Sequence, residues 1–139
     1  MNVKKEKPII ISGKRKTSVA KAQIIIPGSG KIKINNISHY LLNRFHRLSI
    51  EEPIRIAKKN IKNIDFDINV KITGGGRESQ IEAARLAIAR TFIERTKSQK
   101  LKEAFEKYDK HLLVADVRRK EAYKPGDSKA RAKRQTSYR

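Results

Sequence analysis

The sequence predicts an α+β fold: a single domain with an antiparallel-rich sheet, helices packed on one face of that sheet, and a long basic C-terminal tail. Three observations predict it. Residues 66–72 alternate apolar and polar without a break, the pattern of a strand with one buried face. Residues 79–96 repeat apolar side chains at helical spacing. Strand-like runs at the front of the chain are followed by helical runs rather than alternating strictly with them. The organisation that follows is a basic extension over 1–8, a globular domain over 9–117 and an extended tail over 118–139.

Taken in order, Ile9-Ile10-Ile11 is a short β-branched run. Residues 19–26 form a longer strand that turns solidly apolar at Ile24-Ile25-Ile26. Pro27-Gly28-Ser29-Gly30 breaks it, and Lys31-Ile32-Lys33-Ile34 alternates, so the two runs read as a hairpin. Asn35-Asn36 is a second turn. A short helix is expected from Ser38, carrying Tyr40, Leu41, Leu42 and Phe45. A separate helix is expected to begin near Ser49, with either a Ser49–Glu52 capping box or Pro53 at the first helical position.

Phe66, Ile68, Val70 and Ile72 define the buried side of the clearest strand, and Asp65 and Asp67 fall on its solvent side. Gly74-Gly75-Gly76 ends it. The long helix over 79–96 opens on Ser79 and Glu82 at capping-box spacing. Its stripe is Ile81, Ala84, Ile88 and Phe92, widened by Leu86, Ala89 and Ile93. A further helix over 98–108 carries Leu101, Ala104, Phe105 and Tyr108. Leu112-Leu113-Val114-Ala115 reads as a short strand or docking segment. Periodicity stops after Val117.

Charge dominates the composition. Among 139 residues there are 34 Lys plus Arg against 14 Asp plus Glu, a net charge of +20. Such an excess repels itself in a compact body and calls for a polyanion, nucleic acid first. Residues 1–36 hold nine basic residues and one acidic; residues 117–139 hold nine and two. A membrane surface fits less well, because there is no Trp and the basic ends lack a long amphipathic pattern. No run approaches the length of a membrane span. Residues 1–7 are charged with no apolar run behind them, unlike a secretory signal. The absence of Cys removes disulfides, thiolate metal sites and Cys nucleophiles.

The strongest functional signal is the tail: Arg118-Arg119-Lys120, Lys124, then Lys129-Ala130-Arg131-Ala132-Lys133-Arg134-Gln135-Thr136-Ser137-Tyr138-Arg139. It has almost nothing to bury, so it is expected to lack structure until it meets RNA. Its 22 residues, fully extended, reach about 70 Å. Arginine suits this use because its planar fork grips phosphate bidentately and stacks on bases. A front cluster, Lys14-Arg15-Lys16-Thr17-Ser18, is read as a loop whose cations and hydroxyls contact phosphate. The triple glycine permits a strand-to-helix turn. Its backbone N–H groups, with Arg77 beside them, also suit phosphate at a helix N-terminus.

Other motifs are weaker. Gly28-Ser29-Gly30-Lys31 lacks the G-x-x-x-x-G-K-S/T spacing and precedes a strand, so it is rejected as a nucleotide loop. His39, His46 and His111 are scattered, read as surface or helix-end residues with no metal or catalytic role. No cofactor, metal site or catalytic group is expected.

Three blocks together resemble a known family. They are residues 13–22, with Gly13-Lys14-Arg15-Lys16-Thr17-Ser18; residues 70–76, followed by Gln80 and Ala87-Ile88-Ala89-Arg90; and residues 128–139. In order, spacing and ending they are similar to the ninth small-subunit ribosomal protein family. The Ala115-Asp116-Val117-Arg118-Arg119 segment and the Ser-Tyr-Arg ending resemble archaeal or eukaryotic members.

The resemblance implies a domain like the second domain of ribosomal protein S-five. It implies a non-enzymatic role in the cytoplasm, as a structural part of the small-subunit head. The expected partners are small-subunit rRNA, neighbouring head proteins and peptidyl-site tRNA, with no membrane and no homo-oligomer. The rRNA contacts are expected from Lys14, Arg15, Lys16, Thr17, Ser18, Gly74, Gly75, Gly76, Arg77, Arg118, Arg119, Lys120, Lys129, Arg131, Lys133, Arg134 and Gln135. By position, Arg139 approaches the tRNA anticodon stem-loop, with Tyr138 and Ser137 beside it. Gln135 and Ser137 match the bacterial ending; Tyr138 stands where bacterial members usually carry Lys. Two rivals have different requirements. A kinase of the same fold superfamily needs a phosphate loop and a Mg²⁺ carboxylate; a DNA-compacting protein would prefer duplex DNA.

Overall fold

The computed structural model describes residues 8–126, 129–132 and 137. The element order is β1 (Ile10–Arg15), β2 (Ser18–Ile25), β3 (Ile32–Ile34), β4 (Ile37–Ser38), α1 (Arg44–Asn60), β5 (Asp67–Thr73), α2 (Arg77–Thr96) and α3 (Gln99–Tyr108). Single 3-10 turns lie at His39–Leu41 and Lys110–Leu112. The strands form one five-stranded sheet in the order β1-β2-β5-β3-β4. Three of its four pairings are antiparallel, and β3 runs parallel to β5. The α+β expectation holds.

The expected hairpin between β2 and β3 does not form. β5 inserts between them, pairing antiparallel with β2 from Val19↔Thr73 to Ile25↔Asp67 and parallel with β3. The glycine-rich segment between β2 and β3 crosses over β5 instead of closing a tight turn. Asp67 holds it there, accepting the Ser29 and Lys31 backbone N–H groups at 2.8 Å each. The hydrogen bond from Lys31 N–H is the main reason its carboxyl is held below the usual range. So Asp67, assigned to solvent by alternation, orders the crossing.

The true hairpins lie on either side. β1 and β2 are joined through Lys16-Thr17, with Lys16 at φ 51°. β3 and β4 are joined through Asn35-Asn36, both left-handed at φ 47° and 68°. The front cluster is therefore mostly strand. Lys14 and Arg15 end β1, and Ser18 starts β2.

One face of the sheet is buried under helices. It presents Ala20, Ala22 and Ile24 from β2, Ile68, Val70 and Ile72 from β5, and Ile32 and Ile34 from β3. α2 lies across β1, β2 and β5, and α1 packs beside α2, with α3 against α1. Small residues let α2 come close. A Cβ on Gly13 would meet the Ala87 backbone N at 2.8 Å and collide with the Ala83 carbonyl. The core includes Ile81, Ala84, Ile88 and Phe92 of the predicted stripe, and Phe66 packs on Phe92 with ring centroids 5.7 Å apart.

Two helix boundaries differ from expectation. α1 is continuous through Ser49, whose hydroxyl donates to the Phe45 carbonyl at 3.1 Å, and Pro53 sits inside it. Ile50, Pro53, Ile54 and Ala57 are buried on one side, so tertiary packing outweighs the missing N–H of Pro53. α2 begins at Arg77 with Gly76 as its N-cap. Ser79 is thus its third residue, not its cap. Its hydroxyl accepts the Gly76 N–H at 3.1 Å, and Glu82 takes no capping role. α3 starts as expected, Ser98 accepting from the Leu101 N–H. Leu112 is fully buried in the second 3-10 turn, so residues 112–115 dock rather than form a strand. His39 is also buried, its Nδ1 donating to the Ile32 carbonyl at 3.1 Å; it takes the helix-end position of the two expected, at the start of the first 3-10 turn, and not a surface one.

Candidate nucleic-acid interface

The geometry separates the basic residues into those held internally and those left facing solvent. At the hairpin, Arg15 points to the helix side. It pairs with Glu82 of α2 and, at 3.0 Å, with Asp116 beyond the last 3-10 turn. Asp116 also takes Arg118 at 2.6 Å. Hydrogen bonds from Arg118, aided by the nearby Arg15 charge, hold the Asp116 carboxyl far below the usual carboxylate range. Arg118 is raised by the same carboxylate. This cluster anchors the root of the tail to the tip of the β1–β2 hairpin. Arg90 fastens the same region, donating to the Ser12 carbonyl at 2.9 Å and the Leu113 carbonyl at 3.0 Å.

Lys14, Lys16 and Thr17 are exposed at the hairpin end, and neither lysine pairs with a described carboxylate. Ser18 is different. It is fully buried, its hydroxyl 3.0 Å from the Gly74 carbonyl and 2.7 Å from the Ser79 hydroxyl. The expected phosphate contact from Ser18 is therefore corrected: a side chain on the helix face of β2 starts inside the fold.

The glycines share that junction. Gly75, at φ 69°, packs so closely that a Cβ would strike the Ser18 hydroxyl and lie 2.7 Å from that of Ser79. The Gly74 carbonyl accepts from Ser18 and from the Gln80 side chain at 3.0 Å. The Gly76 N–H, one of the expected phosphate donors, is engaged by Ser79. The triple glycine thus works as a structural turn. Arg77 stands exposed at the start of α2 and forms no ion pair with a described residue.

Along the tail, no helix or strand follows Leu112 among the described residues. Arg119 is exposed and donates to the Arg118 carbonyl at 3.0 Å. Lys120 sits 4.4 Å from the centroid of the Tyr123 ring. Lys129, Arg131 and Ser137 are exposed, and Arg131 pairs with Glu121 at 2.9 Å. Ala130 is buried, the one described residue beyond Val117 to be so. Lys133, Arg134, Gln135, Tyr138 and Arg139 lie outside the described residues.

Sequence reasoning passed over two lysines on the uncovered face of the sheet, Lys21 and Lys71. Each is visible in the alternation of its own strand. Their adjacency is not, because it depends on β5 pairing with β2. Among the described residues, no group of His, Asp and Glu is placed to hold a metal ion, and no helix is long and apolar enough to cross a membrane.

A helix-backed sheet whose hairpin tip and uncovered face carry cations without a described carboxylate partner, followed by a tail whose described cations are exposed, has the chemistry of a polyanion-binding module. The family model for ribosomal protein S9/S16 matches residues 13–139, and the chain belongs to that family. It is 44% identical over 132 residues to the small ribosomal subunit protein uS9 of Pyrobaculum aerophilum, covering 94% of this chain and 91% of the relative. It is 45% identical over 130 residues to the protein of the same name from Methanococcus maripaludis, covering 91% and 95%. The Methanococcus vannielii protein is 44% identical over the same coverage. These relatives are archaeal, one of the two groups, archaeal or eukaryotic, that the ending resembles.

Proposed function

We propose that this chain is a structural, non-enzymatic constituent of the small ribosomal subunit in the cytoplasm. It binds small-subunit rRNA, and its tail reaches the anticodon stem-loop of peptidyl-site tRNA. The observation that carries the first part is the family match, which spans residues 13–139 and includes the whole basic arm. The relatives it matches are named as small-subunit proteins.

The physical reading is consistent. Lys14, Lys16 and Arg77 face solvent without a described carboxylate partner, and the arm adds a run of cations with few acids. Neutralising phosphates with such groups releases condensed counterions, which supplies much of the affinity. These contacts orient the protein without reading sequence. The domain docks and the arm orders on RNA, beside neighbouring head proteins. Arg139 then adds a charge-assisted contact to the tRNA backbone, with Ser137 and Tyr138 alongside.

The tRNA role is tested with ribosomes carrying a chain shortened by residues 137–139. Peptidyl-site tRNA should dissociate faster, by the equivalent of about 1–2 kcal/mol for a missing charged hydrogen bond. Equal dissociation across a salt series removes the tRNA role and leaves rRNA binding intact. Co-sedimentation of the full chain with small subunits after a high-salt wash tests the broader reading; loss of the chain to the supernatant refutes it.

A further inference from the structure

The face of the sheet turned away from the helices carries an unneutralised charge pair. Lys21 of β2 and Lys71 of β5 are direct partners in the antiparallel register. Residues so placed have Cβ atoms about 5 Å apart on the same face. Both are exposed, and neither forms an ion pair with a described residue. In the next rung, Gln23 stands opposite Asn69, and Asn69 is in register with Lys33 of β3. Lys21, Gln23, Asn69 and Lys71 line one shallow depression with Ile10 and Asn35.

Like charges directly opposite across a sheet oppose folding. A solvent face normally avoids this by setting an acid against the lysine. Here the one carboxylate among the strand residues of this face is Asp67, already bound by two backbone N–H groups at the far end of β5. The pair therefore has no intramolecular counter-ion within the sheet. An external anion between the two ammonium groups would turn the repulsion into a bidentate grip.

We propose that the uncovered sheet face is a distinct RNA-docking surface, in which Lys21 and Lys71 clasp one backbone phosphate between them. Gln23 and Asn69 donate to adjoining sugar and phosphate oxygens, and Lys33 meets the next phosphate. The surface deepens the rRNA-binding reading and rests on it. RNA fits better than an acidic protein. Two ammonium groups and two amides stand side by side on this face; of its exposed apolar residues, Ile10 lines the depression and Ile25 lies at the Asp67 end of the β2–β5 pairing. A protein interface of that size would carry its apolar anchors at the centre.

The test compares the intact chain, Lys21→Gln/Lys71→Gln, Lys71→Glu and the control Lys58→Gln/Lys59→Gln. The control removes two exposed charges at the end of α1, away from the sheet face. Each is titrated against transcribed small-subunit rRNA over a range of salt. The sheet-face double variant should bind roughly tenfold more weakly at physiological salt, with a log–log salt slope shallower by about 1, for the one phosphate no longer neutralised. The control should change less than half as much. Lys71→Glu should weaken binding further. In the free protein it should raise the unfolding midpoint, by about 1–5 °C, as the repulsion becomes an attraction. Acetylation mapping should show Lys21 and Lys71 protected in the complex.

Unchanged affinity and slope in Lys21→Gln/Lys71→Gln, with the intact chain binding normally, overturn this inference and leave the function standing. Retained rRNA binding with loss of a protein neighbour from assembled subunits overturns it in favour of a protein interface. Failure of the intact chain to bind rRNA refutes both.

Discussion

Arg15 and Asp116 form an ion pair at 3.0 Å between the β1–β2 hairpin and the root of the C-terminal arm. The same carboxylate holds Arg118. One acid thus brings together cations from the two basic blocks that the sequence keeps a hundred residues apart. It neutralises part of their charge and ties the root of the arm to the hairpin tip.

That pair makes stability depend on acid. The Asp116 carboxyl titrates well below its ordinary 3.8 because Arg118 and Arg15 favour the ionised form. A depressed folded-state value adds stability above the unfolded value, lost as pH falls through the folded one. In urea unfolding, the intact chain should exceed Asp116→Asn by a constant amount above about pH 4. The difference should shrink below that. A gap that widens with acid would contradict this assignment.

The hairpin cations should divide into two kinds. Lys14→Gln/Lys16→Gln should leave the urea midpoint unchanged and make the salt slope of rRNA binding shallower by about 1 for each phosphate no longer neutralised. Arg15→Gln should do the reverse, lowering the midpoint because the largely covered Asp116 loses one of its two guanidinium partners and Glu82 loses its own, with little effect on the slope.

Ser18→Ala tests the buried junction. It deletes the hydroxyl shared with Gly74 and Ser79 and should cost about 1 kcal/mol of stability. Affinity for rRNA should be unchanged below the unfolding transition. Weaker binding with undiminished stability would return Ser18 to the surface role expected from sequence.

Gly13→Ala should destabilise the domain by about 1–3 kcal/mol, since β1 and α2 must separate to admit the methyl group. Gly75→Ala should cost a similar amount, combining a left-handed backbone with crowding by two hydroxyls. Chemical denaturation of the free protein measures both.

The long helix and the central strand were legible because their burial is periodic. Ile81, Ala84, Ile88 and Phe92, like Ile68, Val70 and Ile72, lie where the spacing put them. The partner of β2 was not legible, because Pro27-Gly28 shows where the chain bends and not which strand it rejoins. Ser79 and Ser49 both carried helix-start spacing. At Ser79 the turn built by Gly74, Gly75 and Ser18 started the helix earlier. At Ser49 the buried side formed by Ile50, Ile54 and Ala57 carried the helix straight through.

By itself, the sequence determined the net charge of +20, the apolar faces of the main elements and the blocks that mark the family. Charge and periodicity are properties of residue type and spacing, and they survive without knowledge of the fold. Only the tertiary structure decided which described cations are free. Arg15 and Arg118 meet Asp116, Ser18 turns inward, and Lys21 comes to face Lys71. Electrostatic neutralisation acts over a few ångströms of space, and it was strand order and helix packing that brought these distant residues within that range.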